Sequence, residues 1–180
     1  FFNQATLHIM CDKLVNVKIF NNGTIQMTGL KSIKQGKEVV NLYIDQLKKH
    51  NVNIYEGEIS VLSFNVVLIN SDFDIKYKVN RELLHRDILA KDMCSSYEPT
   101  IYPGVNMKYY YNSSYDSNGV CQCTKRCNGK GTGNGNGECK RITIAIFNSG
   151  KIIITGGKTM EQLTLSYKFI NSILKNKKKY

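Results

Sequence analysis

The chain has 180 residues, 42% hydrophobic and 22% charged, a length suited to one ordinary domain or two fused repeats and a balance that argues against disorder. No apolar run reaches the roughly 18 residues of a membrane span. Lys and Arg number 25 against 14 Asp and Glu, a net +11, which favours a polyanionic partner, nucleic acid before anionic membrane. The excess is concentrated: residues 140–180 hold nine cations against Glu161 alone, a balance of +8. Lysine supplies 21 of the 25 cations. Lysine is a point charge suited to phosphate, whereas the arginine fork reads guanine edges, so the cations are expected to position a backbone rather than read bases. The chain opens Phe1-Phe2-Asn3-Gln4, without initiator Met or basic n-region, and reads as a piece whose natural start lies upstream.

In chain order, Leu14 to Phe20 is an alternating strand, followed by an Asn22-Gly23 turn and a second short strand, the pattern of a β-hairpin. After Ser32, a candidate N-cap, Val39, Val40, Tyr43, Ile44 and Leu47 recur at helical spacing. Ile59 to Ile69 reads as a strand. Asn80 to Asp92 reads as a helix capped by Asn80, with Leu83, Leu84 and Ile88 on its buried side. Ser95–Pro99 and Tyr102–Gly104 read as turns, and Val105 to Asn112 as a strand. Ile142 to Phe147 opens a second hairpin through Ser149-Gly150. A second helix follows Thr159, with Met160, Leu163, Tyr167, Ile170 and Leu174 on its apolar side.

The two hairpins are copies. Residues 19–32, IFNNGTIQMTGLKS, and 146–159, IFNSGKIIITGGKT, agree at eight of fourteen positions. A duplicated strand–turn–strand–helix unit predicts an α+β fold, two pseudo-repeats forming one antiparallel sheet with helices on one face. The repeats are assigned to residues 1–53 and 54–180.

Residues 113–139 break the pattern. They are polar, Gly-rich and nearly without aliphatics, and they separate two strands that would otherwise pair, so they read as an insertion at a hairpin tip. Four of the six cysteines fall there, Cys121, Cys123, Cys127 and Cys139, spaced C-x-C-x3-C-x11-C. Four thiolates in a segment with no core of its own suit a structural zinc, with disulfides or free thiols as alternatives. Cys11 and Cys94 read as buried small apolar residues. Lys125, Arg126 and Lys130 make the loop basic, able to meet DNA phosphates or an acidic partner. Gly129-Lys130-Gly131 is no phosphate loop, since Lys130 is not followed by Ser or Thr and no helix opens there. His8, His50 and His85 form no nucleophile–base or metal pair, and the chain reads as non-enzymatic.

The repeat, the phrase SSYEPTIYPG at 95–104 and IAIFNSGKIIITG at 144–156 resemble the TATA-box-binding protein family, in the version carried by large DNA viruses. The resemblance implies a saddle-like curved sheet with helices on the convex face, its first repeat truncated at the N-terminus. It also implies a transcription initiation factor that lies in the minor groove of AT-rich DNA and bends it by inserting aromatic rings. By that resemblance Phe2 and Phe20 are the wedge pair of the first repeat, and Tyr102 and Phe147 that of the second, Tyr102 standing where the family has Phe. Thr28, Ile153 and Thr155 match groove-facing positions, as do Asn65 and Val67. Lys31, Lys108 and Lys158 match phosphate-contacting cations. Glu98, Thr100 and Ile101 match the surface that meets transcription factor IIB, with Thr100 in place of an acid. No cofactor is required beyond the possible zinc. The protein is expected to act as a monomer on DNA with the RNA polymerase machinery, in the nucleus or a cytoplasmic viral factory, or to travel in the virion. Lys18 and Gln26 replace aliphatics of the family, which motivates an alternative: a related scaffold acting mainly through protein contacts.

Overall fold

The computed structural model describes residues 3–52, 57–116 and 118–175. Its elements are β1 (Gln4–Met10), β2 (Leu14–Phe20), β3 (Ile25–Thr28), α1 (Ile33–Lys49), β4 (Ile69–Asp74), α2 (Arg81–Leu89), β5 (Ser95–Ser96), β6 (Val105–Tyr111), β7 (Lys140–Ile146), β8 (Lys151–Gly157) and α3 (Met160–Leu174). No helix among the described residues is long and apolar enough to cross a membrane. The chain divides into two compact units, residues 1–66 and 67–180, each holding one copy of the repeated hairpin.

In the first unit, β1, β2 and β3 form an antiparallel meander. Its inner face is small. Val15 and Val17 of β2 and Val39 of α1 are buried together, with Ile9, Cys11, Ile19, Ile25, Met27 and Leu30 packed around them. The ring of Phe64 lies over Gly36 of α1. In the second unit the strand order is β4-β8-β7-β6-β5. Alternate residues of β6, β7 and β8 (Val105, Met107 and Tyr109; Ile142, Ile144 and Ile146; Ile152 and Ile154) turn to one side, where they meet Leu84 and Ile88 of α2 and Leu163, Ile170 and Leu174 of α3. Period-two alternation thus supplies one apolar face per sheet, and the helices cover it.

The hairpin copies fold in the same register. Asn16 faces Thr28 and Lys18 faces Gln26 across β2 and β3; Thr143 faces Thr155 and Ala145 faces Ile153 across β7 and β8. The caps repeat as well. The Ser32 hydroxyl accepts from the Gln35 backbone N–H at 3.1 Å, and Gln35 Oε1 accepts from the Lys31 N–H at 2.8 Å. Thr159 and Gln162 do the same at 3.2 Å, with the Lys158 N–H 2.8 Å from Gln162 Oε1. Each cap satisfies one orphan N–H of the first turn, and the glutamine side chain ties the preceding residue to it. Gln162 has a second role, donating from Nε2 to the Thr132 carbonyl of the insertion at 3.2 Å. Gln162→Ala is therefore expected to lower stability by about 1–2 kcal/mol, the net worth of its two side-chain hydrogen bonds, read as a shift of the urea midpoint at unchanged slope.

Several expectations change. Residues 59–68 are not a strand; β4 begins at Ile69. Leu62, Val67 and Leu68 in that stretch are exposed, because β8 offers its edge to Ile69–Asp74 instead. Ser95 and Ser96 are not only a turn: they pair with Met107 and Asn106 at the sheet edge. Met160 and Tyr167 of α3 are exposed, the ring of Tyr167 resting edge-on against Phe73 with centroids 4.7 Å apart. Cys94 is exposed and Cys11 half-buried. On either side of residues 113–139, β6 and β7 pair directly, from Val105–Ile146 to Tyr111–Lys140.

Candidate nucleic-acid interface

The face of each sheet opposite its core is open to solvent. In the second unit it carries Asn106, Lys108 and Tyr110 on β6, Arg141, Thr143 and Phe147 along and just beyond β7, and Ile153 and Thr155 on β8, exposed or half-buried and alternating with the buried residues; Ala145, on the same side of β7, is buried. Phe147 is half-buried and lies outside the apolar core. Its ring sits 5.7 Å from that of Tyr102, centroid to centroid. Gly104 makes the pair possible: a Cβ there would lie 3.0 Å from the Tyr102 ring and 3.2 Å from the Phe147 ring. The segment carrying Tyr102 is turned by two N–H groups, of Ile101 and Tyr102, that donate to the Glu98 carbonyl. Arg81 latches it, donating to the Pro103 carbonyl while its guanidinium lies 5.4 Å over the ring of Tyr97.

Thr155 donates from Oγ1 to Asn70 Oδ1 at 2.5 Å. Lys108 is half-buried and donates to Thr143 Oγ1 at 2.9 Å; burial first, then the neighbouring Arg141 charge, hold its pKa below the ordinary lysine value. Ile153 is 36% exposed. Asn65 and Val67 lie exposed in the stretch before β4, not on the sheet; the strand amide beside Thr155 is Asn70. Lys31 and Lys158 are exposed, each just before a helix cap.

In the first unit the matching face holds Thr6, His8, Asn16, Lys18, Gln26 and Thr28, with half-buried Phe20 at the end of β2. Asn16 Nδ2 lies 3.3 Å from His8 Nε2. Phe2 lies outside the described residues. Glu98, Thr100 and Ile101 are exposed together, Thr100 Oγ1 donating to Glu98 Oε1 at 2.8 Å, and Ile101 is 83% exposed.

The four insertion cysteines gather in space. Cys139 Sγ is 3.3 Å from Cys123 Sγ and 3.6 Å from Cys121 Sγ, and all four sulfurs, Cys127 included, lie within 4.8 Å of one another. A tetrahedral zinc with bonds of about 2.3 Å spaces its sulfurs by roughly 3.8 Å, so the set is close to what the ion requires. The Gly137 backbone N–H, chiefly, brings the Cys123 thiol down to about 7. Burial pushes the Cys121 and Cys139 thiols up, and Asn112 Nδ2 donates to Cys139 Sγ at 3.5 Å.

Sequence reasoning missed Arg81, Asn70 and the capping glutamines. The last were readable, since Lys-Ser/Thr-x-x-Gln recurs at 31–35 and 158–162. Arg81 and Asn70 carry no local signal, because their partners are 22 and 85 residues away.

The model of the family described as transcription factor TFIID (or TATA-binding protein, TBP) matches residues 63–177. A TATA-box-binding protein-like protein of Acanthamoeba polyphaga mimivirus is 31% identical over 193 residues, covering 97% of this chain and 48% of its own. TATA-box-binding protein 2 of Entamoeba histolytica is 29% identical, covering 87% and 57%. The chain thus spans about half the length of these relatives. The solved Methanococcus jannaschii TBP superposes with a TM-score of 0.59 at 22% identity, over 97% of this chain and 78% of that one, a likeness of fold. With a family model over most of the second unit and a relative aligned along nearly the whole chain, the protein belongs to the TATA-binding protein family.

Proposed function

We propose that this chain is a non-enzymatic transcription initiation factor that binds the minor groove of AT-rich promoter DNA through the two open sheet faces and bends it. The observation that carries the reading is the repetition: two hairpins in one register, each with its core face under a helix and an aromatic ring ending the opposite face. Phe2 with Phe20, and Tyr102 with Phe147, are the wedges that part base steps, cheapest at flexible pyrimidine–purine steps. Thr28, Ile153, Thr155 and Asn70 meet a groove floor on which A·T and T·A look alike. Lys31, Lys108 and Lys158 neutralise phosphates and release counterions. Glu98, Thr100 and Ile101 dock a factor IIB-like protein that leads to the polymerase, with a monomer on DNA. The four-cysteine insertion holds one structural zinc. The site of action is the nucleus or a viral factory of an infected cell.

A second reading, a scaffold with weak sequence preference, draws on the first unit, where Lys18 and Gln26 face each other on the open side. Affinities for an AT-rich and a GC-rich duplex of equal length separate the two. A preference of tenfold or more, about 1.4 kcal/mol, is expected. Equal binding supports the scaffold.

A further inference from the structure

We propose that the insertion between β6 and β7 is a second nucleic-acid contact: a cationic wing that grips the phosphate backbone of the duplex beyond the sheet. This rests on the DNA-binding reading above. The insertion is not a tassel hanging from the hairpin tip. It folds back along both strands, the Tyr110 N–H donating to the Gly119 carbonyl and the Arg141 N–H to the Gly129 carbonyl at 2.8 Å. Lys130 bridges to Lys140. Gly129 is buried and left-handed (φ +71). A Cβ there would stand 2.6 Å from Arg141 Cβ and 3.0 Å from the Tyr110 ring. Both side chains belong to the open face, so the loop backbone lies against the end of the face that is read here as lying on DNA.

Placement delivers charge. Lys125, Arg126 and Lys130 are exposed, against exposed Asp116 and Glu138 in the same insertion. Lys108 already feels Arg141 as a repelling neighbour. A run of like charges held on a built surface is costly unless an anion meets it. The hold comes from Thr124 and Lys125, whose N–H groups both donate to Asn136 Oδ1 at 2.9 and 3.2 Å, and from the clustered Cys121, Cys123, Cys127 and Cys139, which tie the same loop to itself. The first unit has no counterpart: its equivalent strands β1 and β2 are joined by Cys11, Asp12 and Lys13 alone. The wing therefore distinguishes the second unit from the first, and gives the chain a means of choosing its direction on DNA.

The test is a salt titration of AT-rich duplex binding by the full chain and by K125Q/R126Q/K130Q, with R126Q alone as a milder variant. Each phosphate contact contributes about 0.9 to the slope of log K against log salt. The triple variant is expected to lose roughly 2–3 from the slope and R126Q about 1, with DNA bending and metal content unchanged. A hydroxyl-radical footprint extended on one flank is expected to retract there. If the parent binds and bends the duplex and both variants keep its slope and footprint, the wing is overturned while the DNA reading stands. If the parent binds no duplex, the DNA reading itself fails and the wing with it.

Discussion

Phe147→Ala is expected to weaken binding to an AT-rich duplex by about 5- to 150-fold, the range set by roughly 1–3 kcal/mol per stacked ring, and to reduce the bend. Its cost to folding is expected to be small, about 1 kcal/mol, the size of one aromatic pair. The disparity follows from position. Phe147 is half-buried and outside the apolar core, on the side of half-buried Thr143, while Ile146 beside it is fully buried. Its ring contact is with Tyr102, itself 36% exposed. A core phenylalanine would behave oppositely, costing about 3–5 kcal/mol on truncation. Fluorescence bending and thermal melting of the same variant decide the matter. An unchanged bend with a large fall in melting temperature assigns Phe147 to the core and overturns the wedge.

The second large effect concerns the cysteines. Protein purified under reducing conditions is expected to carry one zinc per chain. Chelation, or Cys139→Ser, is expected to cost about 3 kcal/mol, the scale of a cross-link closing a loop of this length; at roughly 2–4 °C per kcal/mol that is a fall near 10 °C in melting temperature. The loss spreads because the insertion is bonded to the rest of its unit, through Gln162 Nε2 to the Thr132 carbonyl and through the Tyr110 and Arg141 N–H groups. Cys94→Ser, outside the cluster, serves as the control and is expected to leave metal content unchanged. Metal analysis that returns no stoichiometric ion removes the zinc.

These two sites differ in how they could be read. The cysteine cluster is legible from spacing because a short loop confines its own thiols: no partner more than nineteen residues away is needed. The wedge is legible only through repetition and resemblance. Alternation says that Phe147 and Ile146 point to opposite sides of β7; it does not say which side the helices cover. The same ambiguity explains Ile59–Ile69. Its residues suit a pleated surface, but a strand also needs an unpaired edge, and β8 pairs with Ile69 and Ser71–Asp74.

What the amino-acid order determined unaided is what neighbours settle among themselves: the two Asn-Gly and Ser-Gly hairpins, the caps at Ser32, Asn80 and Thr159, the helical periods, the Cys-rich insertion and the duplication that ties them together. Only the folded chain decided which face stays open and where the insertion comes to rest. It also paired Asn70 with Thr155 and brought Arg81 to the Pro103 carbonyl. Burial and long-range hydrogen bonding depend on what the rest of the molecule brings to a surface, and no local pattern of residues contains that.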